Sequence, residues 1–296
     1  MAENANAVGL RIALPCVNTW SGSGELGQFL ATLHPYWTDP RPVRLDFSRC
    51  GFLSAEGAAV LVIFKLRRDA GGWQTELDWD TVPSGLATQF GRWHVSPLFG
   101  RGNHPWADNA VPLLHQTKLD PRQLVGYICS HVQSGQNMPV MTDALVREVR
   151  RSFCELFQNV FVHSASPCGG IAVGQFYPKT KEVQLCVCDG GVGMARRILG
   201  AGLTFGAPGE ALSWALQEGT TTRSDPTGPP GGLGLFLLRE FVRTNGGSLR
   251  VVANDGYLCE SAGTLTTQTL PVDFPGTLIQ VRFLVRDDVV YTLAPA

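Results

Sequence analysis

Apolar positions recur along the chain with two different periods, and the switches between them predict the elements. Leu10 to Leu14 reads as a short apolar strand, Glu25 to Leu33 as an amphipathic helix after a Ser-Gly-Ser-Gly run, and Val43 to Phe47 as an alternating strand. Ala55 to Arg68 carries a helical apolar stripe that Gly71 and Gly72 end, Gln74 to Trp79 is a strand, and Ser84 to His94 a helix. This strand-helix order predicts a layered α/β unit. Residues 100–112, rich in Gly, Pro and Asn, mark a boundary. Beyond it, Gln123 to Val132 and Met141 to His163 read as helices, the second with Thr142 as its N-cap. Ile171 to Tyr177 and Glu182 to Cys188 form a hairpin across Pro-Lys-Thr-Lys. Helices follow at Met194 to Leu199, Glu210 to Gln217 and Leu235 to Thr244, and strands at Ser248 to Val252 and Thr277 to Val285. No internal repeat is present.

Composition narrows this picture. With 296 residues, 44% hydrophobic and 17% charged, the chain is globular and long enough for two ordinary domains. A net charge of −1 forecasts no basic surface for nucleic acid, and Arg147, Arg150 and Arg151 read as the solvated face of a helix. The N-terminus lacks the basic-then-apolar pattern of a secretory signal. The longest apolar run, Ala58 to Phe64, is too short for a bilayer, so no membrane partner is expected. Eight cysteines are scattered without CxxC pairs; Cys186 and Cys188, on one strand face, read as small core residues. A reduced, cytoplasmic setting is the expectation.

Three segments carry candidate chemistry. Glu155, Asn159 and His163 are spaced by four, so they share one face of the long helix. Alone, such a row reads as the helix's solvated side. In Asp-Gly-Gly-Val-Gly (189–193) a strand ends in a carboxylate, and glycines let the backbone pass close to a ligand. A carboxylate held there can accept a hydrogen bond from an adenine amino group, although Asp-Gly-Gly turns are common in loops. In Gly-Gly-Leu-Gly-Leu (231–235), glycines open an apolar helix whose free N–H groups suit phosphate. Neither glycine segment supplies the Gly-Lys-Ser/Thr of a P-loop or a full GxGxxG.

Together, in this order, the three segments resemble the N, G1 and G2 boxes of the GHKL ATPases over residues 119–285: Glu-Leu-Phe-Gln-Asn-Val-Phe-Val-His (155–163), Asp-Gly-Gly-Val-Gly and Gly-Gly-Leu-Gly-Leu. The resemblance implies a Bergerat-type α/β sandwich, a mixed sheet with helices on one face and Mg²⁺-ATP between the helices and a lid. It implies Mg²⁺ on Asn159, a general base or orienting role for Glu155, and His163 on the same binding face. Asp189 would hold adenine, with Gly191 and Gly193 shaping the base pocket and Thr277 nearby. Gly232, Leu233, Gly234 and Leu235 would meet the phosphates. Thr221, Thr222 and Arg223, in a lid between Gly202 and Gly231, are further phosphate candidates; Pro230 stands where many histidine kinases carry glycine.

Val43 to Gly72 is similar to the STAS domains of anti-sigma-factor antagonists: a strand with Leu-Asp-Phe, a turn, then a helix rich in small residues. Their turn reads Asp-Ser-Ser/Thr-Gly; here Ser54-Ala55-Glu56-Gly57 puts Ala55 at the phosphoacceptor position. That leaves a docking or dimerising role, with a homodimer as one outcome. The expected organisation is therefore a STAS-like domain (1–100), a linker (101–118) and the ATP-binding domain (119–296). No phosphoacceptor histidine motif and no room for a transducer domain are found, which points to the small anti-sigma-like branch. The functional expectation is ATP hydrolysis or phosphorylation of a protein partner, of STAS or sigma-like type. The alternative is a nucleotide-gated protein-binding switch with little turnover.

Overall fold

A computed structural model describes residues 9–18, 22–105, 109–133, 137–220 and 233–292. The chain is α/β, with two sheets of different kinds. β1 (Leu10–Ala13), β2 (Val43–Asp46) and β3 (Thr75–Leu77) form a parallel sheet in that order. The helices between them, α1 (Ser23–Leu33) and α2 (Ala55–Ala70), supply the crossovers that parallel neighbours need. α3 (Ser84–Arg92) then leads to β4 (Ala110–Gln116), followed by α4 (Pro121–Ile128), α5 (Asp143–His163), β5 (Gly170–Tyr177) and β6 (Glu182–Asp189). After α6 (Met194–Gly200), α7 (Pro208–Ala215) and α8 (Leu233–Asn245), the chain closes with β7 (Ser248–Ser261) and β8 (Thr264–Leu284). The second sheet has the order β4-β5-β6-β8-β7.

Every pairing in this five-stranded sheet is antiparallel, where a mixed sheet was expected. The reason is connectivity. β5–β6 and β7–β8 are hairpins, and two helices rather than one join β4 to β5, so no single-helix crossover links neighbouring strands. The segment 101–118, expected to be a linker, contains β4, which pairs with β5. Pro112 lowers its strand signal, and it is tolerated because β4 is an edge strand with a register shift between Val111 and Leu114. β7 and β8 also run well past the predicted ends. They continue as a ribbon to a turn at Ala262 and Gly263, whose φ of 50° and 77° suit a tight hairpin. Thr142 does precede α5 with an extended backbone, but its hydroxyl makes no capping bond.

Period-two alternation assigns the antiparallel sheet to two cores. Val183, Leu185 and Val187 of β6 pack with Val281 and Phe283 of β8 and with Leu156, Phe157 and Val160 of α5. Cys186 and Cys188 face the other way, with Ile171, Val173 and Leu278, onto Val62, Ile63 and Phe64 of α2. Both cysteines are buried, as the alternation predicted. α2 is therefore enclosed between the two sheets, and its residues from Ala55 to Phe64 are buried all round rather than along one stripe. Ser54 is fully buried as the N-cap of α2, its Oγ accepting from the Gly57 N–H at 3.2 Å. The layers run parallel sheet, α1 with α2, antiparallel sheet, then α4 to α8.

The face of the antiparallel sheet turned toward α2 is not wholly apolar. Arg250 of β7 donates to Glu56 of α2 at 3.1 Å, and Gln280 to Gln184 at 3.3 Å. Burial pushes the Glu56 carboxyl upward against the pull of Arg250. Removing one member strands the other in a dry layer, so Glu56→Ala should cost about 3–5 kcal/mol. Urea unfolding checks this. A loss under about 1 kcal/mol would mean that water reaches the pair.

Candidate functional site

α5, the end of β6 and the middle of β8 border a concave site among the described residues. Its empty space is about 920 Å³ counting the solvent at its open mouth. Glu155, Asn159 and His163 all line it, because α5 presents its i, i+4, i+8 row to the cleft instead of to solvent. Leu156 and Val160 of α5, with Ile198 of α6 and Ile279 of β8, make the apolar wall.

Asp189 is the last residue of β6 and stands opposite Thr277 in the β6–β8 ladder. By alternation it falls on the cleft side with Val187, and both line the site. The residue is 4% exposed, and its carboxylate accepts from the Gly191 N–H at 2.8 Å. Burial raises its pKa to about 7, against the N–H of Gly191, the groups of Thr277 and the charge of Arg67. Gly191 therefore serves the site through that N–H and is not itself on the cleft wall. Gly193 is on the wall, at φ 89°, and a Cβ there would lie 2.5 Å from Asn254 Oδ1. Glycine is required on both counts. Thr277 Oγ1 accepts from the Met194 N–H at 3.0 Å, tying the start of α6 to β8.

Farther along the chain, Leu233 opens α8 and Leu235 lines the wall. The Gly234 N–H donates to Glu155 Oε2 at 2.9 Å, and a Cβ on Gly234 would lie 2.6 Å from that oxygen. The helix N-terminus thus already binds one anionic group, the Glu155 carboxylate. Thr222 and Gly232 lie outside the described residues, as do Thr221, Arg223 and Pro230.

The sequence reading missed four contributors. Arg197, one turn into α6, and Trp214 of α7 line the cleft. Asn254, at φ 58°, accepts from the Arg196 N–H at 3.0 Å and donates to the Val192 carbonyl at 3.0 Å, bracing the glycine turn. Arg67 of α2 donates to the Gly190 carbonyl from behind the sheet. Only Arg197 had a local signal, its position one turn after the turn's last glycine; the others depend on long-range packing.

Among the described residues no group of three or more His, Cys, Asp or Glu side chains could hold a metal by itself. One amide oxygen from Asn159 beside Glu155 fits Mg²⁺, which binds through one or two side chains and completes its shell with phosphate and water. No helix among the described residues is long and apolar enough to cross a membrane. No family model matches the chain, and no curated protein matches it either.

The raised Asp189 pKa sets a pH dependence. Below its ordinary value of 3.8 both folded and unfolded states hold the proton; between there and about 7 only the folded state does. Stability from this group is therefore complete at low pH and lost as pH rises through about 7. Asp189→Asn, neutral throughout, should gain on the wild type progressively between about pH 4 and 7, by up to about 4 kcal/mol in all, and hold that gain above it. Urea unfolding of both proteins across this range reads the difference. Parallel stability curves would mean that the carboxyl titrates at its ordinary value.

Proposed function

We propose that the cleft binds Mg²⁺-ATP in the manner of the GHKL proteins that the sequence resembles, and that the chain is a regulatory ATPase or protein kinase. The observation that carries this reading is that a buried carboxylate and a polar helix row line one cleft. Asp189 supplies an acceptor suited to a purine amino group, and the walls next to it are apolar enough to cover a base. Asn159 and Glu155 lie on the α5 wall toward the α8 N-terminus, where phosphate would be favoured. Mg²⁺ on Asn159 would neutralise phosphate charge, and Glu155 would orient or deprotonate the attacking group.

The bond from Gly234 to Glu155 favours a second reading, a nucleotide-gated binding switch. The bond ties the candidate base to the start of α8, so a ligand that competes for either group would loosen that contact. Nucleotide binding would then reposition α8 whether or not turnover follows. The protein partner of either mode would be a STAS-type or sigma-like regulator, as the resemblance implies.

Saturating Mg²⁺-ATP, at a hundred times its dissociation constant, should add about 2.7 kcal/mol, which is about 5–10 °C in Tm. Thermal unfolding with ATP, ADP and a non-hydrolysable analogue tests the claim, and no shift with any of them would end it.

Single substitutions separate the two modes. Asn159→Ala should weaken binding and turnover together. Glu155→Ala should leave binding near normal and slow turnover about 10²–10⁴-fold. Equal phosphate release by Glu155→Ala and wild type would favour the switch.

A further inference from the structure

The turn that follows Asp189 is packed from two sides. The cleft lies on one side, and on the other α2 approaches so closely that a Cβ on Gly190 would lie 3.2 Å from Ile63 Cγ2 and 3.7 Å from Arg67 Cδ. The half-buried Arg67 guanidinium donates through Nη1 to the Gly190 carbonyl, and the same nitrogen reaches the Pro275 carbonyl at 3.5 Å. Those carbonyls belong to the segments that end β6 at Asp189 and bring β8 to Thr277, the two residues paired across the ladder at the base of the cleft. One side chain from the parallel-sheet half of the chain thus spans the end of β6 and the part of β8 that enters the β6–β8 ladder.

We propose that Arg67 is a positioning residue of the cleft, fixing from behind the sheet the backbone that presents Asp189 and Thr277, so that α2 is part of the ligand site. The proposal deepens the nucleotide reading and rests on it only for the identity of the ligand. A planar guanidinium suits the task because its several N–H groups diverge in a fixed fork, whereas an ammonium is a single point charge. Burial lowers the pKa of Arg67, opposed by Cys168, Asp189 and Asp273. In return, Arg67 draws the Asp189 pKa downward. The other titratable groups around Asp189 are Cys168 before β5 and Cys188 on β6, with Glu155 and His163 of α5 and Arg197 of α6 on the cleft walls. Arg67 is the cation on the α2 side. Because binding linkage is reciprocal, a ligand that orders the turn tightens α2 against the sheet, and loosening α2 weakens the ligand.

The test uses the full chain with Arg67→Ala, Arg67→Lys and Arg67→Gln. Without nucleotide, amide exchange across residues 190–193 should quicken about tenfold or more in Arg67→Ala and Arg67→Gln, while core amides of β7 keep their protection. The Asp189 carboxyl, followed by carbon NMR, should titrate at higher pH in both. Arg67→Lys, which keeps the charge, should restore the titration more fully than the exchange protection. ATP affinity should fall about tenfold in Arg67→Ala, the scale of one charge-assisted hydrogen bond. Wild-type exchange and an unmoved Asp189 titration in folded Arg67→Ala would overturn the proposal. If Arg67→Ala does not fold, the same two measurements on Arg67→Gln decide it. If the wild type binds no ATP, the nucleotide reading fails, while the two ligand-free measurements still decide the role of Arg67.

Discussion

The antiparallel sheet has to bury both of its faces, and most of the structure follows from that constraint. An antiparallel sheet commonly leaves one face wet, with polar residues on alternate positions. Here β6 reads Glu-Val-Gln-Leu-Cys-Val-Cys-Asp and is buried at every position. Its odd-numbered residues meet α5, while its even-numbered residues meet α2. A helix serving such a sheet while also covering a second sheet has no solvent face to keep polar. That is why α2 carries Ala58, Ala59, Val60, Leu61, Val62, Ile63 and Phe64 in an unbroken run.

A layer enclosed on both sides also needs a register, and apolar contacts alone specify register weakly. The Glu56–Arg250 pair supplies a directional constraint between α2 and β7, next to the Gln184–Gln280 bond between β6 and β8. Such a pair need not add net stability, because desolvation offsets much of its attraction. Its effect is on alternatives: sliding α2 by one turn would leave two charges buried apart. Arg67, also on α2, depends on the same register to meet the Gly190 carbonyl.

How much of this was legible from sequence depended on how local each signal was. The helix row Glu155, Asn159, His163 was legible because helical period alone brings the three together, although only the fold decides that they face a cleft. Asp189 was legible because a strand, a carboxylate and three glycines stand side by side in the chain. β4 was not, since Pro112 interrupts its pattern and its stability comes from pairing with β5, more than fifty residues later in the chain. The β7–β8 ribbon was hidden by Pro271, Pro275 and a threonine-rich polar run that shows no clean alternation. Arg67 and Asn254 act on the glycine turn across 123 and 62 residues respectively, and nothing in their neighbourhoods announces it. For the same reason, residue pattern predicted a boundary after residue 100 but not that the sequence on either side of it shares a core.

That shared core changes what the glycine turn can do. In a sheet with a wet rear face, a strand end such as Asp189-Gly190 would be held only by its ladder partner and could shift without disturbing anything behind it. Here the rear of the turn is filled by Ile63, Arg67 and Cys168, and the front by the cleft. A close-packed site of this kind has little room for graded adjustment, so a displacement on one side must be met by repacking on the other. Asp189 bears the consequence, because the same burial that fixes its position moves its pKa to about 7. A carboxylate so placed gains most from a ligand that donates a hydrogen bond, since the donor relieves a desolvation cost already present in the folded chain. The layer behind the sheet thus helps to set the position and the pKa of a cleft carboxylate without entering the cleft.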